Sequence, residues 1–120
     1  VKLYLVDIRK EIHQSFLSFL MNKYNISWEF IEVTPDNLYP ELPPHDFNDN
    51  LSVLEHIRDP LRVIANTHRA LRPGGLFQAG VDDAPPEMMH ITPDLSAARQ
   101  YLAELGYQKV ANGWDGAPMY

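Results

Sequence analysis

The sequence contains no cysteine, which excludes disulfide bonds and thiolate metal sites. This absence favours a reducing compartment, and we expect a cytoplasmic location. Cations are scarce as well: 10 Lys and Arg residues stand against 16 Asp and Glu residues, giving a net charge of −6. Nucleic acids and anionic membranes bind clustered cations, so we expect neither as a partner. No apolar run approaches the roughly 18 residues that a membrane-spanning helix needs.

The remaining composition is that of a globular protein, with 45% hydrophobic and 22% charged residues. A length of 120 residues predicts one domain over residues 1–120. Both ends are strand-like and lack a loose terminal segment, which indicates an interior piece of a longer polypeptide. A short protein with tidy ends and a processed methionine is the alternative.

Apolar periodicity predicts the element order β-α-β-loop-β-α-β-α-β. The strands are expected at residues 2–8, 27–33, 46–54, 76–81 and 107–110, and the helices at residues 10–24, 60–72 and 93–105. Four prolines make residues 34–44 a loop. The continuous apolar run at residues 2–8 indicates a strand covered on both faces. This alternation predicts an α/β fold with a mainly parallel sheet flanked by helices.

Ligands of such sheets bind beyond the carboxyl ends of the strands. Asp7 ends the first predicted strand, and the turn at residues 34–37 follows the second. Residues 50–52 and 80–83 come at or near the ends of the next two strands. We therefore expect these four segments to gather at one edge.

Two motifs carry a resemblance to a known family: VLEHIRDP at residues 53–60 and, nine residues later, ALRPGGL at residues 70–76. The pair resembles class I S-adenosylmethionine-dependent methyltransferases, in particular the branch that contains quinone and other small-molecule methylases. Weaker likeness lies in LVDI at residues 5–8 and in HITP at residues 90–93. The resemblance implies a Rossmann-like, methyltransferase-type fold. It also implies transfer of a methyl group from S-adenosylmethionine to a small-molecule acceptor.

The family's glycine-rich cofactor turn has no counterpart here. The first glycine is Gly74, and no Gly-x-Gly occurs. The family's first strand sits mid-sheet, so the domain is expected to be N-terminally incomplete, with two strand edges lacking a partner. Each unpaired buried backbone group costs about 1–3 kcal/mol. Residues outside the chain, a rearranged sheet or another chain would have to fill that gap.

The resemblance assigns the ribose of the cofactor to Asp7 and one face of its adenine to Ile8. A carboxylate at the end of a parallel strand can accept two charge-assisted hydrogen bonds from neighbouring ribose hydroxyls. The alternative for Asp7 is a cap on the following helix.

The resemblance also places Asp36 and Asn37 near the adenine amine, and Asn50 and Ser52 along the methionine part of the cofactor. An Asx turn in a proline-rich loop is the alternative for the first two residues. Asn50 belongs to the run Asn-Asp-Asn at residues 48–50, which puts three polar residues in a predicted central strand. Such a run is costly unless its side chains are paired.

His90 lies in a loop where family members contact substrate, and it is the candidate general base or substrate contact. His56 is a second catalytic candidate, although with Glu55 it could instead fix the strand-to-helix turn by hydrogen bonds. Met88 and Met89 could line an apolar substrate pocket, or they could be ordinary core or surface residues.

The other histidines suggest no metal site. His45 with Asp46 and Asp49 matches no ligand motif, so no metal is predicted. His68 shares a helix face with apolar residues, and we expect it to be partly buried and hydrogen-bonded.

Two functions from different classes remain open. One is a methyltransferase acting on a small-molecule substrate. The other is a non-catalytic, methyltransferase-like binding or structural module. Open sheet edges recruit further strands, so such a module would self-associate as a homo-oligomer.

Overall fold

The computed structural model describes residues 2–50, 53–81, 90–92, 94–112 and 118–120. Contacts along the chain define two compact units, Val1–Pro40 and Glu41–Tyr120. The described strands form two sheets, one of two strands and one of four. The expected single sheet is therefore not what these residues form, and the single domain stays a prediction.

The first unit is a β-α-β segment made of β1 (Lys2–Asp7), α1 (Lys10–Lys23) and β2 (Ser27–Glu32). The two strands pair in parallel, with Asp7 opposite Glu32. The three predicted elements are thus confirmed to within one residue. The periodicity of apolar residues sufficed here because each element is defined by its own local pattern.

Both ends of α1 have identifiable caps. At the start, the carboxylate of Glu32 accepts a hydrogen bond from the backbone N–H of Lys10 at 3.2 Å. At the end, Asn25 adopts a positive φ of 53°. The N–H of Ile26 then donates to the carbonyl of Met21 at 2.8 Å. This arrangement is a Schellman cap, and it explains why Asn25 ends the helix.

The apolar residues at helical spacing along α1 are exposed, among them Ile12, Phe16 and Phe19. Phe16 and Phe19 are 65% and 64% exposed, and the buried residue of the helix is Met21. Val6 on β1 is 45% exposed, so the expected cover on both faces of that strand is wrong for this chain. The continuous apolar run identified a strand correctly but did not report what covers it.

The second unit contains a four-stranded sheet and two helices. Its elements are β3 (His45–Asn50), a 3₁₀ helix (Leu54–His56), α2 (Pro60–Ala70), β4 (Leu71–Ala79), α3 (Ser96–Glu104), β5 (Ala111–Asn112) and β6 (Pro118–Met119). The strand order is β3-β4-β6-β5. Strands β3 and β4 are parallel, whereas β6 is antiparallel to both of its neighbours.

The mainly parallel sheet predicted from the sequence is therefore wrong, because the sheet of this unit is mixed. Only residues 113–117 separate β5 from β6. A parallel crossover needs about a dozen residues or more, so a connection this short imposes an antiparallel pair.

Strand β4 begins five residues before the predicted start at residue 76. Leu71 pairs with His45 and Leu76 pairs with Phe47, so the residues between Leu71 and Leu76 bulge out of the ladder. Gly74 supplies the positive φ of 81° within this bulge, as its place in the Pro-Gly-Gly turn predicts. The turn thus interrupts a strand, where the sequence indicated the end of a helix.

The strand expected at residues 107–110 is also wrong, since β5 covers Ala111–Asn112. The N–H of Tyr107 donates to the carbonyl of Leu102 at 3.0 Å, and Gly106 has a φ of 88°. These features form a Schellman cap on α3. The cap occupies the first residue of the predicted strand, and sheet pairing begins further along the chain, at Ala111.

Strand β3 covers His45–Asn50, and Leu54 belongs to the 3₁₀ helix, so the predicted strand end at residue 54 is wrong. Among the described strands β3 lies at one edge of its sheet, which explains how its polar residues are tolerated. Asp49 is exposed, and the amide of Asn48 lies 3.5 Å from Nε2 of His45. Asn50 is the buried member of the run, at 7% exposure.

The core of the second unit holds the site elements in place. Helix α2 begins at Pro60, and the Asp59 carboxylate caps it by accepting from the N–H of Arg62 at 3.4 Å. The fully buried apolar cluster includes residues of α2 and α3. Its members are Leu54, Ile64, Phe77, Ala79, Val81, Leu95, Ala98 and Leu102. None of the helices among the described residues is long and apolar enough to span a membrane.

Candidate functional site

The site is built on the 3₁₀ helix that follows β3. Leu54 is fully buried in the core and anchors this helix. The N–H of His56 donates to the carbonyl of Val53 at 3.0 Å, and the N–H of Ile57 donates to the carbonyl of Leu54 at 3.2 Å. These backbone bonds, together with the buried Leu54, hold the turn that presents Glu55 and His56.

Thr92 fastens a second segment to this turn. Its backbone N–H donates to the carbonyl of Glu55 at 2.9 Å. Its hydroxyl donates to the carbonyl of Ile57 at 2.7 Å, across 35 positions of sequence. One carbonyl belongs to the 3₁₀ helix and the other to the residue that follows it, so Thr92 fixes His90, two residues earlier, beside that turn.

The two predicted catalytic histidines lie together as a result. The ring centroids of His56 and His90 are 5.0 Å apart, with the rings tilted by 53°. The Glu55 carboxylate lies 3.9 Å from Nε2 of His56. One ligand-type atom from each of the three residues falls within 4.8 Å of the others. We call Glu55, His56 and His90 the histidine cluster.

The histidine cluster is only partly accessible. The side chain of His56 is 38% exposed, whereas that of Glu55 is 13% exposed. A carboxylate that is largely removed from water is more stable beside groups that satisfy it. The arrangement can accept a proton at an imidazole nitrogen, orient a hydroxyl, or bind a cation.

Asn50 ends β3, and its backbone carbonyl accepts from the N–H of Gly80 at 3.0 Å. The carboxyl ends of β3 and β4 are thus adjacent, as the sequence predicts. The side-chain oxygen Oδ1 of Asn50 is buried and has no hydrogen-bond partner in the part of the chain that the structure describes. A ligand that donates a hydrogen bond would satisfy this buried acceptor.

Asp7 lies at the carboxyl end of β1 in the first unit. Its Oδ1 accepts from the backbone N–H of Ile8 at 2.8 Å, and its Oδ2 lies 3.7 Å from Nε2 of His13. The N–H of Lys10 is instead taken by Glu32, so helix capping does not explain Asp7. The carboxylate is 59% exposed, and Ile8 is 53% exposed.

The turn at residues 34–37 follows the end of β2. Thr34 and Asn37 exchange two backbone hydrogen bonds, at 3.0 and 3.3 Å. Asp36 and Asn37 are both exposed there. These bonds explain the turn without a ligand. The assignment of the two residues to the adenine therefore stays a prediction.

Three predicted residues lie outside the described residues: Ser52, Met88 and Met89. Their roles along the cofactor and the substrate pocket stay predictions.

His45 and His68 each have a hydrogen-bond partner within the second unit. Nδ1 of His45 bonds to the carbonyl of Pro43 at 2.8 Å. Nδ1 of His68 lies 2.9 Å from the hydroxyl of Tyr107, which confirms the expected hydrogen bond. His68 is exposed, however, so the expected partial burial is wrong. Burial raises the pKa of the Tyr107 phenol above its usual value.

Sequence reasoning missed two contributors to these sites. His13 lies in the first turn of α1. The predicted helix start at residue 10, just after Asp7, would already have placed His13 near Asp7. Thr92 was unrecognisable, because its partners are distant in sequence and no local pattern marks them.

The second unit has a mixed α/β fold with polar side chains at the ends of two parallel strands, a common setting for small-molecule sites. Neither models of known families nor curated proteins match the chain. Among solved structures, it is similar to an O-methyltransferase family 2 protein from Planctomyces limnophilus, determined in complex with apigenin. The identity is 13% and the TM-score is 0.59, over 97% of this chain and 41% of that chain. The chain therefore has a methyltransferase fold and spans less than half of that neighbour's length. The predicted branch and the N-terminal incompleteness stay predictions.

Proposed function

We propose that this chain is a domain of an S-adenosylmethionine-dependent methyltransferase that modifies a hydroxyl group of a small molecule. The observation that carries this proposal is the meeting of His56 and His90, 5.0 Å apart, on a methyltransferase fold. A hydroxyl acceptor agrees with the activity named for the structural neighbour, an O-methyltransferase.

The described residues fit parts of the cofactor. Asp7 uses one oxygen for the N–H of Ile8, and a carboxylate offers about four lone-pair sites. Two ribose hydroxyls can therefore still bind there, with Ile8 against the adenine. In the second unit, taken by itself, Oδ1 of Asn50 has no hydrogen-bond partner among the described residues and would accept a bond from a donor such as the ammonium group of the methionine part.

When bound, S-adenosylmethionine supplies an electrophilic methyl group on a positively charged sulfur, which keeps the electron pair of the broken bond as a neutral thioether. The acceptor oxygen forms the new C–O bond and gives up its proton. Nε2 or Nδ1 of His56 or His90 takes that proton and passes it to solvent. The Glu55 carboxylate lies 3.9 Å from Nε2 of His56, beyond hydrogen-bond distance, and would attract the positive charge that forms on that imidazole.

The test is methyl transfer by the full chain, with apigenin as the probe acceptor because it is the ligand of the structural neighbour. Formation of S-adenosylhomocysteine and of a methylated flavone is followed by mass spectrometry. We expect H56Q and H90Q to slow turnover by about 10²- to 10⁴-fold, the usual contribution of a general base. H68Q, which removes an exposed imidazole elsewhere in the same unit, serves as the control. Turnover that neither cluster variant changes would contradict the assignment.

A second candidate function is favoured by the sheet edges. Among the described residues β1 pairs only with β2, and β3 pairs only with β4. A non-catalytic, methyltransferase-like module would use such edges to self-associate as a homo-oligomer. Sizing with light scattering tests it: a strictly monomeric chain contradicts this alternative.

A further inference from the structure

The histidine cluster combines two imidazoles with one carboxylate. Each residue offers one ligand atom, and the three atoms lie within 4.8 Å of one another. The members come from two segments of the second unit, the 3₁₀ turn and the segment fastened by Thr92. Their proximity is therefore built by tertiary contacts and is not the by-product of one exposed helix face.

We propose that Glu55, His56 and His90 bind a first-row divalent metal ion of the Zn²⁺ or Co²⁺ type. Two histidines and one carboxylate form a ligand set that holds Zn²⁺ and leaves a further position open for water or substrate. Imidazole nitrogens favour transition metals, whereas Mg²⁺ and Ca²⁺ favour oxygen ligands. The cluster therefore selects against the common alkaline-earth ions.

The geometry needs only a small adjustment. Tetrahedral Zn²⁺ with bonds of about 2.0–2.2 Å places its ligand atoms about 3.3–3.5 Å apart. Nε2 of His56 and the nearer oxygen of Glu55 are 3.9 Å apart, and the full set lies within 4.8 Å. Small side-chain rotations close this distance without moving the backbone that Thr92 and Leu54 hold.

The electrostatics of Glu55 favour a cation. Its side chain is 13% exposed, and the imidazole 3.9 Å away carries charge only when protonated. A divalent ion supplies a permanent positive charge to this buried carboxylate. The net charge of −6 further raises the local concentration of cations around the protein.

A bound ion would also define the chemistry at the acceptor. In its open position the ion would hold the acceptor oxygen and lower the pKa of the hydroxyl, and solvent would take the proton; in the metal-free chain, His56 or His90 takes it. This role rests on the proposed methyl transfer, whereas metal binding itself does not.

The test uses Co²⁺ as a spectroscopic probe of the metal-stripped full chain, in the absence of cofactor and acceptor. Coordination by protein nitrogens gives visible absorption much stronger than that of hydrated Co²⁺, and added Zn²⁺ should abolish it. We expect one saturating equivalent of Co²⁺. E55Q, H56Q and H90Q should weaken binding by at least roughly tenfold, since even outer-shell partners contribute that much. H68Q should bind as the unmodified chain does.

Each outcome decides the matter. Absence of the Co²⁺ spectrum, or equal binding by H90Q and the unmodified chain, overturns the site and indicates adventitious surface binding at most. Circular dichroism of each variant shows whether a loss of Co²⁺ binding reflects unfolding. E55Q is close in size to the natural residue and should disturb the fold least. Co²⁺ binding without methyl transfer would leave the metal site standing and refute the proposed function. Methyl transfer that survives chelation, in a chain that does not bind Co²⁺, would refute the metal site and leave the proposed function standing.

Discussion

The hydroxyl of Thr92 holds the histidine cluster together, and replacing it with Val should show this. T92V keeps the shape and the backbone N–H bond to Glu55 but removes the 2.7 Å bond to the carbonyl of Ile57. A lost hydrogen bond of this kind costs about 0.5–1.5 kcal/mol, and up to about 3 kcal/mol if the partly buried carbonyl stays unpaired. If that energy keeps His90 in position, each kcal/mol lost lowers ligand affinity at the cluster about fivefold.

The assay combines urea unfolding followed by circular dichroism with a Co²⁺ titration of the same variants. T92S, which retains a hydroxyl, is the matched control and should lose much less in both measurements. A T92V chain with the unfolding free energy of T92S would refute the reasoning about this hydrogen bond. A lower free energy of unfolding with an unchanged Co²⁺ affinity would show that the Thr92 hydroxyl stabilises the fold but does not place His90.

Further substitutions test the fold around the site. Leu102 is fully buried, so L102A should lower the free energy of unfolding by about 2–5 kcal/mol; a loss below 1 kcal/mol in urea unfolding would contradict its place in the core. Asp59 caps α2, and D59A should cost about 1 kcal/mol in the same assay, while D59N should cost much less. Burial raises the pKa of Tyr107 above its usual 10.0, so its neutral form stabilises the fold fully below about pH 10, and this contribution disappears as the pH rises through the folded-state pKa. Y107F should remove from an alkaline absorbance titration one phenol whose pKa lies above its usual value, and an unchanged titration curve would count against that burial.

The helices and the first strands were predictable because their signals are local. Asp59 and Pro60 mark the start of α2 by cap chemistry, and Asn25 marks the end of α1 by its tolerance of positive φ. Each of these signals depends on a few neighbouring residues, so no tertiary contact was needed to read it.

Sheet pairing was not predictable to the same degree. The bulge between Leu71 and Leu76 depends on how β3 aligns beside β4, which no local pattern encodes. Strand β6 covers only two residues and owes its place to bonds such as that from the N–H of Tyr120 to the carbonyl of Phe77. Such a short strand carries no periodicity of its own.

The sequence singled out the two histidines of the candidate site but did not predict their assembly, and their catalytic roles stay predictions. His56 and His90 were each identified from the motifs in which they lie. Their meeting depends on Thr92, which bonds to Ile57 across 35 positions of sequence. For the same reason, the sequence suggested no metal site although it contains the three side chains that form the histidine cluster.

The central claim is that this domain serves S-adenosylmethionine chemistry, and calorimetric titration of the chain with S-adenosylhomocysteine tests it most directly. We expect saturable binding that D7A weakens by at least about tenfold, since the lost carboxylate would accept charge-assisted hydrogen bonds worth about 1.5–3 kcal/mol each. E29Q, which changes an exposed acidic residue paired with Lys2 in the same strand pair, should leave the affinity unchanged. No heat of binding at millimolar ligand, or equal affinity in D7A and the unmodified chain, would contradict the account.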